Sequence, residues 1–246
     1  MRIALLSDIH ANLEALNACM AHARANGASR FAFLGDFVGY GADASAVVAI
    51  VEEQVATGAV AVRGNHDEAV ATMSSYFNHD ARAAIEWAGK TLTGQQKGFL
   101  ATLPFLVRDG DICFVHASAA SPSHWNYVDS GTEARRCIDA TDAAYTFCGH
   151  LHDQSLYFEA AEGRMREFRP LPGTPIPVRG HRRWLAIVGT VGQPRDRNPA
   201  AAYTLFDRAR QEITFFRVAY DAAAAAAKIR KCGLPESLAY RVEQGI

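Results

Sequence analysis

The 246-residue sequence contains no Cys-x-x-Cys pair. Its five cysteines, Cys19, Cys113, Cys137, Cys148 and Cys232, are odd in number and scattered. That pattern excludes a disulfide framework and a cysteine-built structural zinc site. Cys113 and Cys148 lie inside apolar runs and read as buried thiols. No apolar run approaches the roughly 20 residues of a membrane span. The opening Met-Arg-Ile-Ala-Leu-Leu-Ser-Asp has too short an apolar part for a signal peptide, so a cytoplasmic location is expected. Net charge is -1, which gives no strong nucleic-acid signal, although a local basic patch is compatible with it. Low-complexity tails, internal repeats and inter-domain linkers are missing too. A single domain over residues 1–246 is therefore expected, with its oligomeric state open. What is present is an ordinary globular composition, 49% hydrophobic and 21% charged, in a chain long enough to bury a full core.

The apolar pattern divides the chain in two. Residues 2–7, 31–34 and 59–62 are short apolar runs, separated by helical periodicity over 11–26 and 43–56, the second opened by Asp43. Nearly continuous apolar strands joined by helices predict a parallel sheet covered on both faces. From about 67 to 103 the pattern is helical without an intervening strand, a helical excursion ended by Pro104. Residues 112–115 and 145–148 return to strand, around a helix at 130–141. After His152, short alternating segments at 155–159, 164–168, 184–190, 202–207 and 212–218 predict antiparallel strands. The alanine-rich run from Asp221 to Lys231 is a helix, and residues 170–183, rich in Pro, Gly and Arg, are a loop. Together the halves predict an α/β fold of two sheets packed face to face, with helices outside.

The chemistry-bearing residues gather just past the apolar runs. The blocks are Asp8-x-His10, Gly35-Asp36, Gly64-Asn65-His66-Asp67, His116 and Gly149-His150-x-His152. Carboxylate, amide and imidazole are ligands for divalent ions. A slight bend at Ile9 aims Asp8 and His10 at one ion. Asp36, standing alone after a glycine, has two oxygens and can bridge two. Asn65 adds a neutral oxygen. His116, His150 and His152 add imidazoles, and His150 and His152, pointing apart along an extended backbone, can serve different ions. Each block alone has a bland explanation, an Asx-type turn or a core histidine. All of them, in order and each at a strand end, are explained far better by one two-metal centre. Of the other histidines, His22 reads as a solvated helix residue, and His79, His124 and His181 as loop residues able to approach a substrate.

This ordered set resembles the calcineurin-like metallophosphoesterases. The segment Gly189-Thr-Val-Gly-Gln-Pro-Arg195 is similar to one in a small bacterial and archaeal phosphodiesterase branch. The resemblance implies a four-layer αββα sandwich. It also implies one ion held by Asp8, His10, Asp36 and His152 and a second by Asp36, Asn65, His116 and His150. Asp36 would bridge, and His66 would be the catalytic histidine beside the leaving group. One departure stands out. The protein serine/threonine phosphatases follow Gly-Asp with an acid and an arginine at three and four residues, and Gly35-Asp-Phe-Val-Gly-Tyr-Gly41 has neither. That argues against a phosphoprotein phosphatase and leaves His66 without its usual acidic partner there. Whether the adjacent Asp67 orients the ring is open at this point.

The expected activity is hydrolysis of phosphate esters, phosphodiesters first, by a metal-bridging hydroxide with Asp36, Asn65 and His66 as the catalytic set. A phosphomonoesterase or nucleotidase is the runner-up, and a non-catalytic metal-binding scaffold the third reading. Scaffold relatives tend to lose the histidine that is present here as His66. Manganese is the expected metal, with iron, zinc or nickel as alternatives. The expected partner is a small phosphate ester, nucleotides included. Arg195 either forks onto phosphate oxygens or closes a salt bridge. Tyr40, Trp125 and Tyr127 form an aromatic wall beside the centre or pack at loop bases.

Overall fold

A strand buried on both faces needs a layer on each side. In β1 (Arg2–Leu6), Ile3 and Leu5 enter one apolar cluster while Ala4 and Leu6 enter another. The computed structural model describes residues 1–72, 78–161 and 163–246, so residues 73–77 of the expected helical excursion lie outside the described residues. The first sheet runs β3 (Val60–Ala61), β2 (Arg30–Phe33), β1, β11 (Ala201–Asp207), β12 (Glu212–Val218) and β9 (Ile176–Pro177). The second runs β4 (Leu106–Asp109), β5 (Ile112–Val115), β6 (Tyr145–Cys148), β10 (Trp184–Ile187), β7 (Ser155–Glu159) and β8 (Met165–Phe168). Each sheet has a parallel core, β1–β2–β3 in one and β5–β6–β10 in the other, extended by antiparallel strands.

Between the sheets lie Ile3, Leu5, Phe114, Phe147, Phe206 and Phe215. Outside the first sheet, Leu16 of α1 (Leu13–Ala25) and Val47 and Val51 of α2 (Ala44–Ala56) pack with Phe33. Outside the second, Ala134 and Ile138 of α6 (Gly131–Asp139) pack on Leu185 and Ile187. The order is helix, sheet, sheet, helix, the four-layer α/β sandwich.

The helical excursion holds α3 (Asn65–Thr72), α4 (His79–Thr91) and α5 (Gly94–Thr102). The last opens with a reciprocal capping box between Thr93 and Gln96. α7 (Ala222–Lys231) is capped by Asp221 and ends in Lys228, Arg230 and Lys231, which suit its negative dipole end. α8 (Glu236–Gln244) packs on α7 through Leu238, Ala239 and Val242. No helix among the described residues is long and apolar enough to cross a membrane.

Three elements escape the sequence pattern. β4 is half-polar and held by pairing with β5, β9 is two residues inside the expected 170–183 loop, and α8 is mostly polar. Asp43 precedes α2 as expected, but its carboxylate makes no cap bond and instead meets Lys228 Nζ at 2.8 Å.

Candidate metal centre

Parallel strands send their carboxyl ends to the same side, and here each such end carries a block of polar residues. Asp8 follows β1, Asp36 follows β2, Asn65 follows β3, His116 follows β5 and His150 follows β6. The chain cannot leave these strands extended and still turn its side chains inward. Asp8, His10, Asp36 and His150 all take left-handed backbone conformations, with φ of 51°, 48°, 54° and 65°. For non-glycine residues that costs on the order of 1 kcal/mol or more each, the kind of strain found at functional sites. The bend is thus at Asp8 and His10 themselves, and His150 is not extended as the spacing alone implied. Gly149 lets this happen, because a Cβ there would lie 2.5 Å from Asp8 Oδ2.

The result is two groups of donors sharing one carboxylate. In the first, His10 Nε2 lies 3.3 Å from His152 Nε2, 3.8 Å from Asp8 Oδ1 and 3.9 Å from Asp36 Oδ2. In the second, His116 Nε2 lies 3.1 Å from Asn65 Oδ1, 3.2 Å from His150 Nδ1 and 3.5 Å from Asp36 Oδ2. Ligands about 2.1 Å from one cation stand roughly 3.0–3.4 Å apart; the second group, at 3.1–3.5 Å, is close to that spacing, and the first, at 3.3–3.9 Å, is slightly wider. Asp8 Oδ1 is buried and accepts no hydrogen bond in the structure, an arrangement a cation would satisfy. A further grouping, His10, Asp36 and His66, also falls within ligand spacing, with His66 Nε2 3.9 Å from Asp36 Oδ2.

Surrounding carbonyls set the tautomers. His10, His116 and His152 turn Nδ1 toward the carbonyls of Val38, Leu34 and Gln193, at 3.3, 2.6 and 2.6 Å. A carbonyl only accepts, so Nδ1 carries the proton and Nε2 keeps its lone pair for an ion. Burial, then the charges around it, holds His66 and His150 down at about 3 and lowers His10, His116 and His152 as well. All five are neutral ligands or donors at neutral pH. Burial, followed by the charges of Asp8 and Asp67, pushes Asp36 well above the usual carboxylate range. A divalent cation relieves that repulsion.

Asp67 has a different task from orienting His66. Its Oδ2 accepts the amides of Asp36 and Gly64 at 2.8 and 2.9 Å, and its Oδ1 those of Phe37 and Val38 at 2.9 and 3.4 Å. It ties the loop after β2 to the loop after β3. The sequence signal was its place in Gly-Asn-His-Asp, but that could not reveal the partners.

A cavity of about 750 Å³ opens over the centre, within the range of small-molecule sites. Of the residues expected near substrate, Tyr40, Trp125, Tyr127, Arg195 and His124 line it. His79 begins α4 as an exposed residue, and His181 is exposed elsewhere; neither lines the cavity. His22 corrects expectation, being half-buried with Nδ1 2.8 Å from the Tyr203 hydroxyl. Arg195 is exposed and donates to Gln193 Oε1 at 3.0 Å, and no carboxylate among the described residues pairs with it. Glu68, on the cavity wall, was missed because one glutamate in a helical run carries no signal.

Comparison with known proteins settles the family. A profile described as the calcineurin-like phosphoesterase superfamily domain matches residues 1–210. The chain belongs to the calcineurin-like phosphoesterase superfamily. This calcineurin-like phosphoesterase is 36% identical to a metallophosphoesterase from Sphaerobacter thermophilus, with a TM-score of 0.88 over 100% of this chain and 99% of that one. An uncharacterised protein of Methanocaldococcus jannaschii is 33% identical, over 99% of this chain and 98% of its own. A hypothetical protein from Pyrococcus horikoshii, 18% identical, shares the fold with a TM-score of 0.80 over 100% of this chain and 98% of that one. Superfamily membership agrees with a hydrolase, and the donor clusters of this phosphoesterase could hold divalent ions.

Proposed function

We propose that the protein hydrolyses small phosphate esters, phosphodiesters foremost, at a centre for two divalent cations. Asp8, His10, Asp36 and His152 would hold one ion, and Asp36, Asn65, His116 and His150 the other. The observation that carries this is the position of Asp36 Oδ2, 3.9 Å from His10 Nε2 on one side and 3.5 Å from His116 Nε2 on the other. Such a pair of cations, when bound, lowers the pKa of coordinated water and neutralises charge on phosphoryl oxygens. Asn65 orients the phosphoryl group. His66, on the cavity wall, donates a hydrogen bond to the departing oxygen. With its pKa at about 3 the ring is neutral at rest, and the negative charge of an arriving phosphate moves it toward proton donation. Arg195, on the cavity wall and unpaired by any described carboxylate, would fork onto a phosphate oxygen. A single guanidinium suits the one charge of a diester better than the two of a monoester. Manganese is the proposed metal and the cytoplasm the proposed location.

The test couples metal analysis of native protein to hydrolysis of bis(4-nitrophenyl) phosphate and 4-nitrophenyl phosphate with added manganese. Two ions per chain and faster diester turnover are expected. Monoester preference would shift the reading to a phosphomonoesterase, and full metal occupancy without turnover of either to a scaffold.

A further inference from the structure

The three aromatic residues of the cavity wall are not equivalent. Trp125 is engaged on several sides: its indole N–H donates to Glu68 Oε2 at 3.2 Å, and its ring lies 5.8 Å from His116 and 5.6 Å from Phe105. Tyr40 sits under the Arg195 guanidinium, 5.9 Å from ring centroid to carbon, and contacts His10 and His66. Tyr127 lies flat on His150, with centroids 4.1 Å apart and planes 15° from parallel, yet it remains 49% exposed. One face is covered by an imidazole of the second donor group, and the rest looks into the cavity. A large aromatic surface held beside a reaction centre is a platform for another planar ring.

Glu68 lies one helical turn beyond Asn65 on α3, and residues at that spacing share a face. Trp125 holds one of its oxygens. Among the described residues lining the cavity, Glu68 is the one acid besides Asp36, and Arg195 the one Lys or Arg. Glu68 can therefore accept hydrogen bonds from a ligand and repels negative charge placed beside it.

We propose that Tyr127 and Glu68 form a subsite for the organic group of the ester, selecting a nucleoside attached through a single phosphate. The base stacks on Tyr127. Glu68 accepts from an amino or hydroxyl group and turns away ligands with a second phosphate. This deepens the phosphoesterase reading and rests on it.

The probes are AMP, ribose 5-phosphate and ADP, measured as inhibitors of bis(4-nitrophenyl) phosphate hydrolysis and by ligand-induced Tm shift on the manganese-loaded protein. AMP is expected to bind about tenfold or more tighter than ribose 5-phosphate, the scale of one stacked base. It is also expected to bind tighter than ADP. Tyr127→Ala should remove the first preference, while Tyr127→Phe, which keeps the ring, should retain it. Glu68→Gln leaves an acceptor for Trp125 and removes only charge, so it should bring ADP close to AMP. Metal content and Tm measured on every variant separate loss of the subsite from loss of the fold. Equal binding of AMP and ribose 5-phosphate by the unaltered protein, or an ADP-to-AMP ratio unmoved by Glu68→Gln, overturns the proposal. Absence of hydrolysis by the unaltered protein with any metal would instead overturn the phosphoesterase reading, and the Tm shifts would still report on the subsite.

Discussion

Asp36 is the residue on which both donor groups depend, and its two oxygens do different things. Oδ2 faces the imidazoles, and Oδ1 accepts the His66 amide at 2.8 Å. Asp36→Asn preserves an oxygen for that amide while removing the charge two cations would share. Both ions should be lost or weakened together and turnover nearly abolished; calorimetric titration showing two ions at unaltered affinity would refute the bridging role. His66 is a subtler case, because its Nε2 lies close enough to Asp36 to be mistaken for a ligand. His66→Ala should keep both metals and lose turnover by about 10²–10⁴-fold, the usual contribution of a proton-transfer group. The loss should shrink with leaving groups of low pKa, such as 4-nitrophenolate. Loss of one ion in the variant would make His66 a ligand instead.

The loops after β2 and β3 would not hold these side chains in place on their own. They are knotted by Asp67, which gathers four backbone amides. Glycine supplies the clearance: Gly39, at φ 88°, packs so tightly against the His66 ring that a side chain there would collide with it. Asp67→Ala leaves those buried amides without an acceptor. At about 1 kcal/mol or more for each, the cost is roughly 4 kcal/mol. Urea unfolding should register it, with metal affinity falling in parallel. A stable variant with normal metal content would show that water replaces the carboxylate. The Arg195 loop is braced from outside in the same manner. Arg217 pairs with Asp196, and the Arg197 amide donates to Gly245 O at 2.6 Å, at the end of α8. The polar helix α8, which the sequence pattern does not mark, thus buttresses the loop on one side of the cavity.

The molecule as a whole gathers five histidines, four buried and His150 half-buried, at the strand ends of two packed sheets, and that has a consequence for acid stability. Each stays neutral when folded but takes a proton below about pH 6.5 when unfolded. Its stabilisation is therefore lost progressively as pH falls from there toward the folded value, which is about 3 for His66 and His150. Asp36 and Asp67 work in the opposite direction. Both are pushed up, Asp67 to about 7, so the folded state takes their protons first and gains stability as pH falls toward the ordinary carboxylate range. The histidines outnumber these carboxyls, so the net effect of acidification is loss. In chelator, the urea midpoint should drop between about pH 6.5 and pH 5. A midpoint that rises over that window would contradict the neutral state of these rings.

Much of this was readable along the chain. The strand ends are marked by apolar runs that stop at Gly or Asp, because burial patterns and turn chemistry are local. The donor types are likewise identities that no folding alters. Tertiary structure decided everything that depends on which loop lies beside which. Asp67 could have oriented a ring, and only the approach of Gly35–Val38 makes it a backbone acceptor. Tyr40, Trp125 and Tyr127 were one aromatic wall in the sequence. Packing commits Trp125 to Glu68 and leaves Tyr127 open. β4, β9 and α8 are too polar or too short to declare themselves; β4 and α8 are held by their chain neighbours β5 and α7, and β9 by β12, which is distant in sequence. The left-handed turns at Asp8, His10, Asp36 and His150 are disfavoured locally for those residues. They persist because two sheets packed face to face hold the loops closer together than any one loop would place itself.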